Sequence, residues 1–230
     1  MRINKYIASS GVCSRRKAEE YINQGKIYLN GSKVTDLATQ VGQDDVVTLD
    51  GKKISIEEER VYLVLNKPKG YITTSNEQFE RNCIMDLINE NVRVFPVGRL
   101  DMDTEGIIIL TNDGEFANEL MHPRNKLFKT YIAKLNYDVS DSEIETLRNG
   151  IDIGGYITKK AVVKKIKKNV VSISIAEGKN RQIRRMFEAI NKRVVKLKRI
   201  AIGNFEPKDI ALGEYKKFSL EDLKRKIYAK

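Results

Sequence analysis

The chain has 230 residues, 41% of them hydrophobic, enough for one medium domain or two unequal ones with packed cores. It carries 42 Lys and Arg against 31 Asp and Glu, a net charge of +11, and no stretch approaches the roughly 18–20 apolar residues of a membrane span. The N-terminus lacks the apolar core of a secretory signal, Cys13 and Cys83 lie far apart, and His122 is the one histidine. The chain therefore reads as soluble and cytoplasmic, with no disulfide framework, metal site or Ser–His–Asp triad.

The charge is unevenly placed. Residues 1–31 hold six Lys and Arg against two Glu, and residues 159–199 hold fifteen against two, which leaves the remainder at −6. Two separate basic surfaces suit a polyanion that touches both.

In chain order, Ile3, Tyr6 and Ile7 recur at helical spacing, and a turn follows at Gly11-Val12-Cys13-Ser14. Ser14 caps a second predicted helix, 15 to about 24, which buries Ala18, Tyr21 and Ile22 and stops at Gly25. Residues 26–31 read as a strand running into a turn, and 41–49 as a turn and a short strand. The result is a helix–helix–hairpin module of about fifty residues, followed by a polar linker at 54–60.

A second domain starts near Val61. The apolar runs 61–65 and 107–110 read as strands buried on both faces. Residues 130–135 and 170–175 are further strands, and in the latter Val171, Ile173 and Ile175 alternate with Ser172 and Ser174. Helices are predicted over 116–121, after the Ser140-x-x-Glu143 capping box up to Gly150, and from Ser219 onward. The predicted class is α+β, with a mixed, largely antiparallel sheet flanked by helices.

Three segments can carry chemistry. The first, Gly98-Arg99-Leu100-Asp101-Met102-Asp103-Thr104-Glu105-Gly106, places three carboxylates and an arginine in a glycine-bounded loop before a core strand. A carboxylate there can act as nucleophile or base, and a plain acidic turn is the alternative. In the second, Ile183, Met186, Phe187 and Ile190 make one buried helical face, with Arg181, Arg184, Arg185 and Glu188 on an adjoining one. Three arginines on a stripe call for counter-charges, from phosphates or from a carboxylate such as Asp101; a solvated basic face is the bland alternative. The third is Lys129-Thr130-Tyr131-Ile132-Ala133, a strand whose tyrosine either packs in a core or offers a face to a base.

In this order the segments resemble the RsuA/RluB/RluE/RluF family of pseudouridine synthases, over nearly the whole chain. Asn4-Lys5-Tyr6-Ile7-Ala8 and Ser14-Arg15-Arg16-Lys17-Ala18-Glu19 resemble the small RNA-binding domain these enzymes share with ribosomal proteins. Asn66-Lys67-Pro68-Lys69-Gly70, Phe95-Pro96-Val97-Gly98-Arg99-Leu100-Asp101, Lys129-Thr130-Tyr131 and Asn180-Arg181-Gln182-Ile183-Arg184-Arg185-Met186 resemble the catalytic domain. The resemblance implies an RNA-binding domain over 1–55 and a catalytic domain over 61–230. It implies that Asp101 is the catalytic aspartate, that Tyr131 stacks on the target uracil and helps remove its C5 proton, and that Arg184 pairs with Asp101. Arg99 would help fill the gap left by the flipped nucleotide. RNA contacts are assigned to Lys5, Arg15, Arg16, Lys17, Arg99, Arg181 and Arg185. No cofactor or metal is implied, since the isomerisation neither consumes phosphate nor moves electrons out.

The expected substrate is a uridine in ribosomal RNA. The segments around Asn66, Phe95 and Thr158 look more like the RluF and RluB members than RsuA, which favours 23S over 16S rRNA, with assembly intermediates as further partners. The expected state is a monomer. The competing reading is a non-catalytic ribosome-associated RNA-binding factor, which would have no use for Asp101, Tyr131 and Arg184 together.

Overall fold

A computed structural model describes residues 1–75 and 81–229. The chain divides into two compact units. One comprises Met1–Val61 with Glu90–Val94 and Thr111–Gly114; the other comprises Tyr62–Asn89, Phe95–Leu110 and Glu115–Lys230.

The first unit opens with helices α1 (Ile3–Ser9) and α2 (Arg15–Asn23). Ser14 caps α2 through its hydroxyl, which accepts from Lys17 N–H at 3.2 Å. The predicted hairpin is half of a four-stranded antiparallel sheet. Strands β1 (Ile27–Leu29), β2 (Ser32–Lys33), β3 (Val47–Leu49) and β4 (Lys52–Ile54) run in the order β2-β1-β3-β4. Ile3, Ile7, Ala18, Ile22, Ile27 and Val47 form its core, each at most 2% exposed.

The second unit is built on β5 (Tyr62–Lys67), β6 (Phe95–Pro96), β7 (Glu105–Thr111), β8 (Lys129–Leu135), β9 (Val162–Lys167), β10 (Val170–Ile175), β11 (Val194–Ile202) and β12 (Tyr215–Lys217). These make one mixed sheet in the order β12-β5-β7-β11-β8-β10-β9, with β6 on β7. The β7–β11 pair is parallel, while β12–β5, β11–β8, β8–β10 and β10–β9 are antiparallel. The helices are α3 (Gly114–Met121), α4 (Asp141–Asn149), α5 (Gln182–Glu188) and α6 (Leu220–Tyr228). α4 carries the expected capping box: Ser140 Oγ accepts from Glu143 N–H, and Glu143 accepts from Ser140 N–H at 2.7 Å. α4 and α5 pack Ile144, Leu147, Met186 and Phe187 against β8, β10 and β11. α3 and α6 pack Phe116, Leu120, Leu223 and Ile227 against β5 and β7.

β9, β11 and β12 are hidden in the sequence because lysines dominate them. β11 is the informative case. Its sequence, Val194-Val195-Lys196-Leu197-Lys198-Arg199-Ile200-Ala201-Ile202, buries Leu197, Arg199 and Ala201, so an arginine occupies a position where a strand normally turns an apolar side chain inward. Among the described residues no helix is long and apolar enough to cross a membrane.

Candidate active site

The loop before β7 is held at almost every residue. Gly98 adopts φ +76°, open to glycine at no steric cost. Thr73 Oγ1 donates to Leu100 O at 2.7 Å and accepts from Leu100 N–H. Gly70 N–H donates to Met102 O at 2.8 Å, and Thr104 N–H closes a turn onto Asp101 O at 3.0 Å. From the end of β5, the fully buried Lys67 ammonium donates to Thr104 O and Pro68 O at 2.9 and 3.0 Å. Burial pushes the Lys67 pKa down to about 8, against the pull of Asp103, Asp101 and Glu105.

Arg184 does not pair with Asp101. Its Nη2 contacts Asp103 Oδ2 at 3.1 Å and donates to Asp103 O at 3.0 Å, while Nη1 donates to Val194 O at 3.1 Å. Arg181 adds a contact to Asp103 Oδ1 at 3.3 Å. Asp103 therefore supplies the counter-charge expected of Asp101, and Arg184 is buried rather than part of a solvated stripe. Arg185 donates to the carbonyls of Ile153 and Gly154. Arg181, Arg184 and Arg185 thus each have a protein partner, and Arg181 keeps an exposed side chain.

Asp101 is left half-buried, with no ion pair and no side-chain hydrogen bond among the described residues. It lines a cavity of about 670 Å³ together with Arg99, Tyr131, Arg184, Lys129 and Arg199. A neighbouring cavity of about 540 Å³ reaches Asp101 from the side of Thr73, Thr74 and Arg81. Tyr131 is half-buried on β8, opposite Ile173 of β10 and Arg199 of β11. The cavity thus brings Asp101 and Tyr131 together with Arg184 and the exposed Arg99. Lys5, Arg15, Arg16 and Lys17 belong to the first unit. There Arg15 and Arg16 are exposed, and Lys17 pairs with Glu20 at 2.7 Å. Among the described residues no group of three or more His, Cys, Asp and Glu could hold a metal ion.

The profile of the family described as RNA pseudouridylate synthase matches residues 61–189, which span the whole of this cavity loop, Tyr131 and Arg184. The chain belongs to the RNA pseudouridylate synthase family. It isomerises uridine in RNA to pseudouridine. An S4 domain matches residues 1–47 of the synthase and supplies its RNA-binding part. The synthase is 41% identical to the dual-specificity RNA pseudouridine synthase RluF of Escherichia coli K12 over 225 residues, 97% of this chain and 77% of that protein. It is 40% identical to the ribosomal large subunit pseudouridine synthase B of Bacillus subtilis, over 97% of this chain and 94% of that one. A solved pseudouridylate synthase structure superposes with a TM-score of 0.73 at 27% identity, covering 99% of this chain and all of its own.

Sequence reasoning passes over several residues that line or support the synthase's cavities. Thr73 is invisible as a clamp until the loop folds over it. Lys67 stands in a motif that by itself assigns the side chain no role. Glu177 accepts from Tyr156 OH at 2.7 Å, Gln182 Nε2 at 2.6 Å and Lys159 N–H at 3.0 Å, and so ties the rim of the cavity together. Arg199 is hidden because it sits in a basic window and a register shift follows it, so that Ala201 lies opposite Thr130 and the alternation set by Leu197 and Arg199 breaks.

Proposed function

We propose that Asp101 performs the isomerisation, that Tyr131 stacks on the flipped uracil, and that Arg184 acts through Asp103 by holding the turn that presents Asp101. The observation that carries this reading is the contrast on one loop: Asp103 is bound by two arginines, while Asp101 faces the cavity beside Tyr131 with no partner among the described residues. A carboxylate free of competing bonds is available to attack the sugar or base, or to accept a proton. Lys67 lies close enough to feel the charge of Asp101, and the cavity is wide enough to admit water beside it.

The substrate we favour is a uridine in ribosomal RNA, in 23S before 16S, approached as a transcript or as an assembly intermediate by a monomer. The reading rests on the identity to relatives named for RNA and large-subunit pseudouridine formation. We place the RNA-binding domain at 1–55 and the catalytic domain at 61–230, with Lys5, Arg15, Arg16 and Lys17 on RNA from the first, and Arg99, Arg181 and Arg185 from the second. Flipping the target costs a few kcal/mol of unstacking, and stacking on Tyr131 returns roughly 1–3 kcal/mol. The test is chemical mapping of pseudouridine in unmodified 23S and 16S transcripts. Modification of 23S alone by the wild type supports the reading, and modification of 16S alone overturns the substrate choice.

A further inference from the structure

Arg199 is 4% exposed, lines the cavity, and has no carboxylate partner among the described residues. Its Nε donates to Ile107 O at 2.7 Å, but its buried Nη2 has no hydrogen-bond partner among the described residues. Lys129 lines the same cavity and likewise has no carboxylate within reach; burial, and then the charge of Arg199, push its pKa down. The hydroxyl of Thr104, also lining the cavity, is buried and unpaired among the described residues. Burying unpaired cations and donors opposes folding. Stability alone therefore does not account for two desolvated positive groups on adjoining strands. What satisfies them is a ligand with acceptor oxygens.

Their place in the sheet identifies those oxygens. Arg199 lies directly opposite Tyr131 in the β8–β11 register, and Lys129 precedes Tyr131 by two residues on β8. A base stacked on Tyr131 presents its edge to them. We propose that Arg199, assisted by Lys129, binds a carbonyl oxygen of the target uracil and stabilises the negative charge of the base while it is detached from the sugar. This inference rests on the proposed placement of the base between Asp101 and Tyr131. When the C1′–N1 bond breaks, its electron pair leaves with the base, which then carries one negative charge spread over N1, O2 and O4. Bond formation from C5 to C1′ uses a ring electron pair, and the proton lost from C5 is balanced by one gained at N1. A guanidinium fixed beside O2 or O4 favours the charged species over the neutral starting base, which is the differential binding that lowers a barrier.

The test couples the residue to the substrate atom. RNA containing the uridine that the wild type modifies is prepared with uridine, 2-thiouridine or 4-thiouridine at that site, and with a phosphorothioate beside it. Sulfur accepts hydrogen bonds poorly. Single-turnover rates are compared for wild type, Arg199→Met and Lys129→Met. Arg199→Met is expected to slow uridine about ten- to a hundred-fold, the rate equivalent of one charge-assisted hydrogen bond, with RNA affinity little changed. One thio substitution should slow the wild type by a similar factor and add little to the variant's defect. Equal thio penalties in all three proteins, or coupling to the phosphorothioate instead, would overturn the proposal. Lys129→Met breaks no side-chain hydrogen bond, so it carries the same comparison if Arg199→Met fails to fold. An active Asp101→Asn variant would remove the reading of the site itself; an inactive one with no Arg199 coupling removes this inference alone.

Discussion

Asp101 and Asp103 sit two residues apart on one turn, and their surroundings divide the labour. Asp103 is bound by Arg184 and Arg181, while Asp101 has no partner among the described residues; on the proposed reading the first positions and the second reacts. Arg184→Ala should therefore lower kcat about ten- to a hundred-fold, the worth of roughly 1.5–3 kcal/mol, with little change in RNA affinity. Arg184→Lys should recover only part, because one ammonium cannot span Asp103 and the Val194 carbonyl as the fork does. Full activity in Arg184→Ala would exclude the positioning role. Lys67 gives a pH dependence. Its folded pKa of about 8 lies below its ordinary value of about 10.4. Between those values the unfolded chain binds more protons, so this group's contribution to stability rises with pH. Activity should move the other way, because above pH 8 the charged donor holding Thr104 O and Pro68 O is lost. The pH–rate profile of wild type should show an alkaline limb that Lys67→Met lacks.

At the scale of elements, legibility follows how openly a strand or helix declares its period. α2 and α4 announce themselves through Ser14 and the Ser140–Glu143 box, and β10 through alternating Val/Ile and Ser. β2 and β4 are too short and too rich in lysine to read. β11 disappears into a basic window because Lys196 and Lys198 mask its alternation and Arg199 takes an inward position. The candidate loop is legible, but its wiring is not, since two aspartates within reach of one arginine cannot be ranked without the turn geometry. The join between β7 and β11 has its own test. Gly106 sits at φ +114°, and a Cβ there would collide with the Arg199 backbone. Gly106→Ala should cost roughly 2–4 kcal/mol in urea unfolding, combining strain and overpacking. Gly114→Ala, with open space and no positive φ, should be within about 1 kcal/mol of wild type.

For the whole molecule, the net charge of +11 and its two basic windows make RNA binding a counterion-release process. Affinity should fall linearly in log–log terms with salt. Replacing the exposed Arg15 and Arg16 together by Ala should reduce that slope by about 1–2, at roughly 0.7 for each single-strand phosphate no longer neutralised. Catalytic rate at saturating RNA should be unaffected. An unchanged slope would place the RNA away from α2.

The central claim is that Asp101 carries the chemistry. Its direct test is pseudouridine mapping of RNA incubated with wild type or Asp101→Asn, which preserves the side chain's shape while removing its charge. The account predicts a pseudouridine made by the wild type and absent with Asp101→Asn at equal RNA binding and equal thermal stability. Pseudouridine formed by Asp101→Asn at the wild-type rate would contradict it.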